Sequence, residues 1–294
     1  MSPSRSTHNT TDPDRLATQL IEGLPVTTRR LDLAGVSTSL VEGGEGPPMV
    51  LLHGQGGFAE ILSGLIGNLI DRYDVVAPDL PGLGRSEVRG GTLDGPGMVK
   101  WLGELIGKTC DQPPIVLGLS LGGSIGARFA VERGQEISKL ILVDSGSLGR
   151  FRPPPSVLFA LIRFARKPNE AGAERLHRQV FHDSDRVRAQ IGDRLTAIRD
   201  YQVDRAQQPS VNAANRTLLR KVGTKRIPDD ELRKIEVPVA VIWGRKDRVM
   251  SIKQAERVSA RFGWPLYPIE DAGHVPMVEQ PAAFGAALRA ILET

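Results

Sequence analysis

Short apolar runs alternate with longer stretches of helical character along most of the chain. Residues 49–53, 115–119 and 139–143 are three such runs, and each carries almost no charge. A strand that is apolar on both faces is typical of a parallel sheet covered by helices on both sides. The pattern therefore predicts an α/β fold with a mostly parallel central sheet flanked by helices.

The same pattern extends the sheet toward both ends of the chain. Residues 29–33 and 37–42 have strand character and are separated by Ala-Gly-Val, which predicts a hairpin. Further strands are expected at residues 74–77, 237–243 and 265–269. Helices are expected at residues 13–24, 58–70, 97–107, 121–133, 252–262 and 281–292.

A central segment interrupts this alternation. Between residues 147 and 230 the sequence has helical patches and loops but no strand pattern, and RPPPS at residues 152–156 ends any preceding element. We therefore expect three parts. They are a tail with a short helix over residues 1–27, an α/β core formed by residues 28–146 and 231–294, and an inserted helical cap over residues 147–230.

The totals exclude several classes of protein. A chain of 294 residues is long enough to bury a sizeable core. No uncharged run reaches the roughly 18 residues that a membrane span requires, and the polar N-terminal residues lack the apolar region of a secretory signal. We therefore predict a cytoplasmic protein without a membrane span. The single cysteine, Cys110, excludes an internal disulfide and a cysteine-based zinc cluster.

The mild positive charge of the chain is concentrated in the predicted cap. The net charge is +4, yet residues 147–230 contain 14 arginines and three lysines against nine acidic residues. This segment has no nucleic-acid motif and no interleaved aromatic residues, so no nucleic-acid partner is expected. Two interpretations stay open: a solvated helical surface, or a lid that attracts anionic substrates or anionic lipid surfaces.

Ser120 is the candidate nucleophile. It lies in Gly118-Leu119-Ser120-Leu121-Gly122, where a predicted strand turns into a predicted helix. A G-x-S-x-G pattern at such a turn strains the serine backbone and lifts its hydroxyl above the sheet. The backbone N–H of Leu121 then faces the developing oxyanion, and the helix N-terminus favours negative charge there.

The nucleophile needs a base, and the base needs a carboxylate that orients it. Of the five histidines, His274 lies in a loop after the last predicted strand, at the sheet edge where a parallel fold presents its functional loops. Asp247 follows the strand at residues 237–243 and is the expected acid. Asp144, at the end of the preceding strand, is the alternative acid. The order Ser120, Asp247, His274 is the one that a G-x-S-x-G elbow predicts.

A second oxyanion donor is expected from His53-Gly54-Gln55-Gly56-Gly57, the loop after the third strand. Its glycines permit a close approach of the backbone to a substrate, and we choose the N–H of Gln55 as the donor. His53 is expected to tie the loop down through its ring nitrogens rather than to titrate during catalysis.

These motifs resemble those of the α/β-hydrolase superfamily over residues 28–294. The resemblance rests on LLHGQGG at 51–57, DLPGLGRSE at 79–87, GLSLGG at 118–123, WGRKDRV at 243–249 and DAGHVPMVEQP at 271–281. It implies that the elbow serine is the nucleophile, that Gln55 and Leu121 supply the oxyanion hole, and that residues 147–230 form a cap. It implies no metal and no organic cofactor.

The expected reaction is cleavage of a carboxylic ester or lactone through an acyl-enzyme. A carbon–carbon bond hydrolase of the meta-cleavage type is the first alternative, because WGRKDR at residues 243–248 looks like that subgroup. Such enzymes usually have HGxGPG where this chain has HGQGG, and Trp where it has Val275. Acyl transfer and perhydrolysis stay open, because other nucleophiles can intercept the same acyl-enzyme.

Two further alternatives belong to other classes of protein. GQGGFA at residues 54–59 matches a dinucleotide fingerprint, with Asp79 as the acid for a ribose, although this leaves Ser120, Asp247 and His274 without a role. A non-catalytic receptor for a small ligand would use the same fold and retain the same residues.

Apolar side chains after RPPP suggest either packing of the cap on the core or an acyl pocket beneath it. They are Phe151, Val157, Leu158, Phe159, Leu161, Ile162 and Phe164. The expected partner is accordingly a small-molecule substrate with an apolar acyl part. The sequence does not predict an oligomeric state.

Overall fold

A single mixed sheet forms the centre of the computed structural model, which describes residues 13–293. Its strands are β1 (Thr27–Leu33), β2 (Val36–Gly43), β3 (Pro48–Leu52), β4 (Asp74–Pro78), β5 (Glu87–Val88), β6 (Ile115–Leu119), β7 (Lys139–Val143), β8 (Val239–Gly244) and β9 (Leu266–Ile269). Their order is β1-β2-β4-β3-β6-β7-β8-β9, and β5 pairs with β2. The pairs β1–β2 and β2–β4 are antiparallel, and the pairs from β4 to β9 are parallel. The predicted α/β class and mostly parallel sheet are confirmed.

Helices connect the strands and enclose the sheet. They are α1 (Pro13–Ile21), α2 (Ser63–Leu69), α3 (Gly95–Thr109), α4 (Leu121–Arg133), α5 (Pro155–Arg166), α6 (Glu170–Val180), α7 (Ser184–Gln207), α8 (Pro209–Leu218), α9 (Asp229–Leu232), α10 (Ile252–Phe262), α11 (Pro276–Glu279) and α12 (Pro281–Leu292). The helix expected at residues 58–70 is instead a 3₁₀ turn at Ala59–Leu62 followed by α2. Residues 1–12, the first part of the predicted tail, and residue 294 lie outside the described residues.

The core lies in two layers, one on each face of the sheet. Along β3, Val50 and Leu52 belong to the layer that contains Trp101 and Phe129, whereas Met49 and Leu51 belong to the opposite layer. This alternation follows from strand geometry, which sends successive side chains to opposite faces. It explains why the central strands are apolar at every position.

Helices α5 to α8 occupy the segment that was predicted as a cap, and residues 147–230 contain no strand. The helices contact the loop that follows β3. The rings of Phe58 and Tyr201 have centroids 4.1 Å apart, and Gln202 Nε2 donates to the Gly56 carbonyl at 3.2 Å. Helix α9 crosses the expected boundary at residue 230.

The apolar residues after RPPP do not share one environment. Val157 is buried, whereas Leu158, Phe159 and Ile162 face solvent. The three exposed side chains neither pack on the core nor line an enclosed acyl pocket. Both interpretations are therefore wrong for these three residues. None of the helices within residues 13–293 combines the length and apolar character that crossing a bilayer requires.

Candidate active site

Ser120 lies on a strained turn between β6 and α4. Its backbone has φ 52° and ψ −107°, a conformation that non-glycine residues rarely adopt. Glycines make room for the turn: a Cβ at Gly122 would lie 2.3 Å from the Leu52 carbonyl oxygen, and one at Gly118 would lie 2.5 Å from the carbonyl carbon of Gly122. The turn is held by a 2.9 Å hydrogen bond from the Ser120 N–H to the Val143 carbonyl.

The structure brings together the three side chains that the sequence singled out. His274 Nε2 lies 3.0 Å from Ser120 Oγ, and His274 Nδ1 lies 2.7 Å from Asp247 Oδ2. In the tautomer that satisfies both contacts, Nδ1–H donates to Asp247 and the serine hydroxyl donates to Nε2. The other oxygen of Asp247 accepts from the N–H groups of Val249 and Met250, at 2.6 and 3.0 Å. The carboxylate is thereby fixed in direction.

Glu279 organises the loop that carries His274, a role that the sequence pattern does not predict. Its carboxylate is buried and accepts from the N–H groups of Gly273, Val275 and His182, at 2.9, 3.3 and 2.7 Å. Burial raises the pKa of Glu279, and the three backbone donors partly oppose that rise. No periodicity in the sequence distinguishes this glutamate from a solvated one.

Asp144, the alternative acid, lies at the end of β7 and is fully buried. One of its oxygens accepts from the Gly244 N–H at 3.0 Å. Burial, followed by the neighbouring carboxylate of Asp247, raises the pKa of Asp144 well above its usual range. Asp247, rather than Asp144, makes the hydrogen bond to His274.

A metal site is conceivable where the side chains of Asp144, Asp247 and His274 lie close together. One donor atom from each lies within 4.8 Å of the others. The 2.7 Å separation of His274 Nδ1 and Asp247 Oδ2 is a hydrogen-bond distance. Adjacent ligands of a tetrahedral metal, bound at about 2.1 Å, would be about 3.4 Å apart. The arrangement therefore fits a shared proton better than a shared metal ion.

One predicted oxyanion donor, Leu121, begins the helix after Ser120, and the other, Gln55, lies in the loop after β3. Leu121 is the first residue of α4, so its N–H has no partner within the helix. Gly54 lies close to the elbow, because a Cβ there would be 3.4 Å from Ser120 Cβ. The Gln55 side chain donates to Asn215 Oδ1 at 2.6 Å, which ties this loop to α8.

His53 anchors the same loop, as the sequence predicted. Its Nδ1 contacts the Gly54 carbonyl at 2.8 Å, and its Nε2 accepts from the Leu80 N–H at 3.0 Å. The ring is fully buried, and burial lowers its pKa to about 4. A neutral imidazole with both nitrogens engaged is a structural group.

Asp79 has a structural position that contradicts the dinucleotide alternative. It is buried, and its two oxygens accept from the N–H groups of Ala59 and Arg85, each at 2.7 Å. Burial raises the pKa of Asp79 to about 6. A carboxylate engaged in this way is not available to a ribose. The glycine loop also leads into a 3₁₀ turn rather than the N-terminus of a long helix.

A strained serine elbow on a mostly parallel sheet, with histidine and aspartate on later loops, defines a protein of the α/β-hydrolase class. Comparison with known sequences agrees. The profile of the Alpha/beta hydrolase family matches residues 49–287, and the chain belongs to this family.

The names of similar proteins describe different activities. The chain is 27% identical over 256 residues to the pimeloyl-[acyl-carrier protein] methyl ester esterase of Aeromonas hydrophila, covering 85% of this chain and 96% of that protein. It is 26% identical over 273 residues to the 2-hydroxy-6-oxo-6-(2'-aminophenyl)hexa-2,4-dienoic acid hydrolase of Metapseudomonas resinovorans, covering 90% of each. Among solved structures, a membrane phospholipase A superposes with a TM-score of 0.78 at 25% identity, covering 96% of this chain and 91% of that one.

Proposed function

We propose that this chain is a serine hydrolase that cleaves a carboxylic ester, or a lactone, through an acyl-enzyme. The observation that carries the proposal is the relay of contacts from Asp247 through His274 to Ser120, at 2.7 and 3.0 Å. An imidazole so placed can take the hydroxyl proton as the serine attacks.

The first half of the proposed reaction forms the acyl-enzyme. Ser120 Oγ attacks the ester carbonyl while its proton passes to His274 Nε2. The negative charge that develops on the carbonyl oxygen is stabilised by the N–H groups of Leu121 and Gln55. Asp247 stabilises the imidazolium. The bond to the alcohol then breaks, and the imidazolium returns the proton to that leaving group.

The second half regenerates the enzyme. A water molecule gives a proton to His274 and attacks the acyl carbonyl, and a second oxyanion forms at the same place. The bond to Ser120 breaks, the serine recovers its proton from the imidazolium, and the carboxylic acid leaves. Apart from the ester and one water molecule, these steps need no group outside the chain.

The proposed substrate is a small molecule with an apolar acyl part. The methyl ester esterase named above supports ester cleavage by a protein that aligns over most of this chain. We propose that the protein acts in the cytoplasm and has no nucleic-acid partner.

Carbon–carbon bond hydrolysis is the second candidate. It is favoured by the alignment with the dienoic acid hydrolase over 90% of both chains. Two departures count against it: HGQGG stands at residues 53–57 without the proline usual in that subgroup, and Val275 follows His274 where tryptophan is usual.

The decisive experiment is a panel of nitrophenyl esters of increasing chain length, together with a lactone and a dienoic ring-cleavage product. Ser120→Ala is expected to reduce kcat by at least about a thousandfold, because it removes the covalent route. Ser124→Ala is the matched control, since this buried serine lies one helical turn further on and its hydroxyl bonds to the Ser120 carbonyl at 3.3 Å. Full activity of Ser120→Ala would disprove the assignment.

The same panel distinguishes a non-catalytic receptor. A receptor with intact residues would release one equivalent of nitrophenol and then stop. Continued turnover with mass-spectrometric detection of an acyl group on Ser120 supports the enzyme. Turnover of the dienoic acid alone would replace ester cleavage by carbon–carbon cleavage.

A further inference from the structure

Helix α5 packs against the protein through one side only. Val157 and Ala160 are buried on that side. On the other side, at positions i, i+1 and i+4, Leu158, Phe159 and Ile162 are 44%, 58% and 48% exposed. We call these three residues the α5 outer face. Among the described residues, only one other large apolar side chain, Val88, is exposed to this degree.

The segment that carries the α5 outer face is positively charged and has no acidic residue. Residues 150–168 contain five basic residues and no acidic residue: Arg150, Arg152, Arg163, Arg166 and Lys167. Within residues 13–293, none of the five has a carboxylate within 4.0 Å. Some cations of the cap are paired, since Arg199 of α7 contacts Glu170 and Glu174 of α6. Others, such as Arg216 and Arg220, also lack a carboxylate within 4.0 Å in the described part of the chain, so α5 is distinguished by the combination of unpaired cations with exposed apolar side chains.

We propose that the α5 outer face, with its basic surround, docks on the surface of an anionic lipid bilayer. A helix with apolar side chains on one face and arginine and lysine beside them binds in the plane of a membrane interface. Leu158, Phe159 and Ile162 enter the boundary between headgroups and acyl chains, while the basic side chains contact the anionic headgroups. This association is peripheral and does not require a membrane-spanning helix.

Charge favours a membrane over a second copy of this chain. In a two-fold symmetric contact the same surface meets itself, so the five cations would face five cations across an apolar interface. Fluid anionic lipids, by contrast, rearrange to neutralise the cations while accepting the apolar side chains. The proposal is independent of the reaction catalysed.

The docked helix is connected to the candidate active site through α8. Asn212 Nδ2 donates to the Ala165 carbonyl of α5 at 2.9 Å. One turn further along α8, Asn215 accepts from Gln55 in the loop beside Ser120. A bilayer bound at α5 would therefore lie on the cap side of the molecule.

The test is co-sedimentation of the full chain with sucrose-loaded vesicles. We expect binding to vesicles of equal parts phosphatidylglycerol and phosphatidylcholine, and at least about tenfold weaker binding to phosphatidylcholine alone. The triple variant Leu158→Ser, Phe159→Ser, Ile162→Ser is expected to lose binding. The double variant Arg163→Glu, Arg166→Glu is expected to weaken it by at least about tenfold, because each cation near such a surface contributes roughly fivefold.

The matched control is Lys100→Glu, Arg289→Glu, which changes the net charge equally at exposed positions of α3 and α12, two helices outside the cap. It should bind almost as the wild type, and thermal unfolding of all variants should show intact folding. The proposal is overturned if the wild type ignores anionic vesicles, if the control loses as much binding as the α5 double variant, or if the serine triple variant still binds. It is also overturned if light scattering shows a dimer that the triple variant dissociates.

Discussion

Asp144 and Asp247 present carboxyl oxygens within 4.8 Å of each other, in unlike surroundings. Asp247 uses both oxygens, one for His274 and one for two backbone N–H groups. Asp144 is fully buried, and its second oxygen has no hydrogen-bond partner among the described residues. Burial, followed by the neighbouring carboxylate of Asp247, raises the pKa of Asp144, so Asp144 keeps its proton while Asp247 contacts His274.

The different surroundings of Asp144 and Asp247 predict opposite results when each is replaced by asparagine. Asp144→Asn replaces a neutral acid by a neutral amide of the same shape and is expected to keep kcat/KM within about tenfold of the wild type. Asp247→Asn is expected to lose about 10⁴-fold in kcat, because the amide stabilises the wrong imidazole tautomer. Steady-state kinetics on the best ester of the panel measures both.

The reverse ranking would identify Asp144 as the acid that orients His274. Unfolding curves separate this outcome from a folding defect, since the activity loss expected for Asp247→Asn does not require lower stability. An equal loss in both variants would show that the two acids act as one group.

Glu279→Gln tests the loop that carries His274. Both oxygens of the Glu279 carboxylate accept from backbone N–H groups. The glutamine amide keeps only one such oxygen, and its NH₂ group would face an N–H donor instead of accepting from it. The loop should therefore shift. A displacement of about 1 Å at a catalytic group costs on the order of 100-fold in rate. We expect kcat to fall by about that factor with little change in KM. Glu270→Gln, an exposed glutamate paired with Arg245, is the control and should leave kcat unchanged.

The buried state of His53 predicts that the difference in stability between the wild type and His53→Gln depends on pH. Its folded-state pKa of about 4 lies below the ordinary 6.5, so its contribution is fully present above pH 6.5 and is lost as the pH falls through 4. The wild type should therefore lose about 3 kcal/mol of unfolding free energy relative to His53→Gln between pH 6.5 and pH 4. Urea unfolding of both proteins at the two pH values measures this change.

The unfolding free energy of the wild type must be compared with that of His53→Gln, because Asp79 changes the stability of both proteins with pH in the opposite direction. Its raised pKa of about 6 means that its contribution is fully present below 3.8 and is lost as the pH rises through 6. The two groups therefore offset each other in the wild type. A stability gap between wild type and His53→Gln that does not change with pH would contradict the neutral, buried state of the ring.

Replacement of glycine by alanine is expected to have opposite effects on stability at Gly122 and at Gly107. Gly122→Ala places a methyl group 2.3 Å from the backbone oxygen of Leu52, which cannot move without displacing β3, so stability should fall by at least about 1–3 kcal/mol and activity with it. Gly107→Ala in α3 meets no atom within 4 Å and should raise stability by about 0.5–1 kcal/mol. Chemical denaturation compares the two, and a neutral Gly122→Ala would show that the elbow tolerates a side chain.

Several elements were predictable to the residue from local pattern alone. Strands β6 and β7 and helices α4, α10 and α12 have the predicted bounds, because each is a clear apolar or periodic run ended by a turn or proline. Strand β8 begins at Val239 rather than at residue 237, since Pro238 has no N–H for the ladder. Strand β5 was missed because its two residues are ordered only by pairing with β2.

The sequence by itself determined the fold class, the elbow around Ser120 and the candidate residues Ser120, Asp247 and His274. These depend on short-range rules of turn, strand and helix, which local residues satisfy. The tertiary structure alone decided that Glu279 is buried under three backbone donors and that α5 turns Phe159 outward, and it placed Asp247, the acid preferred from the sequence, against His274. Each of these depends on which distant segments become neighbours, and burial and hydrogen bonding are properties of those neighbours.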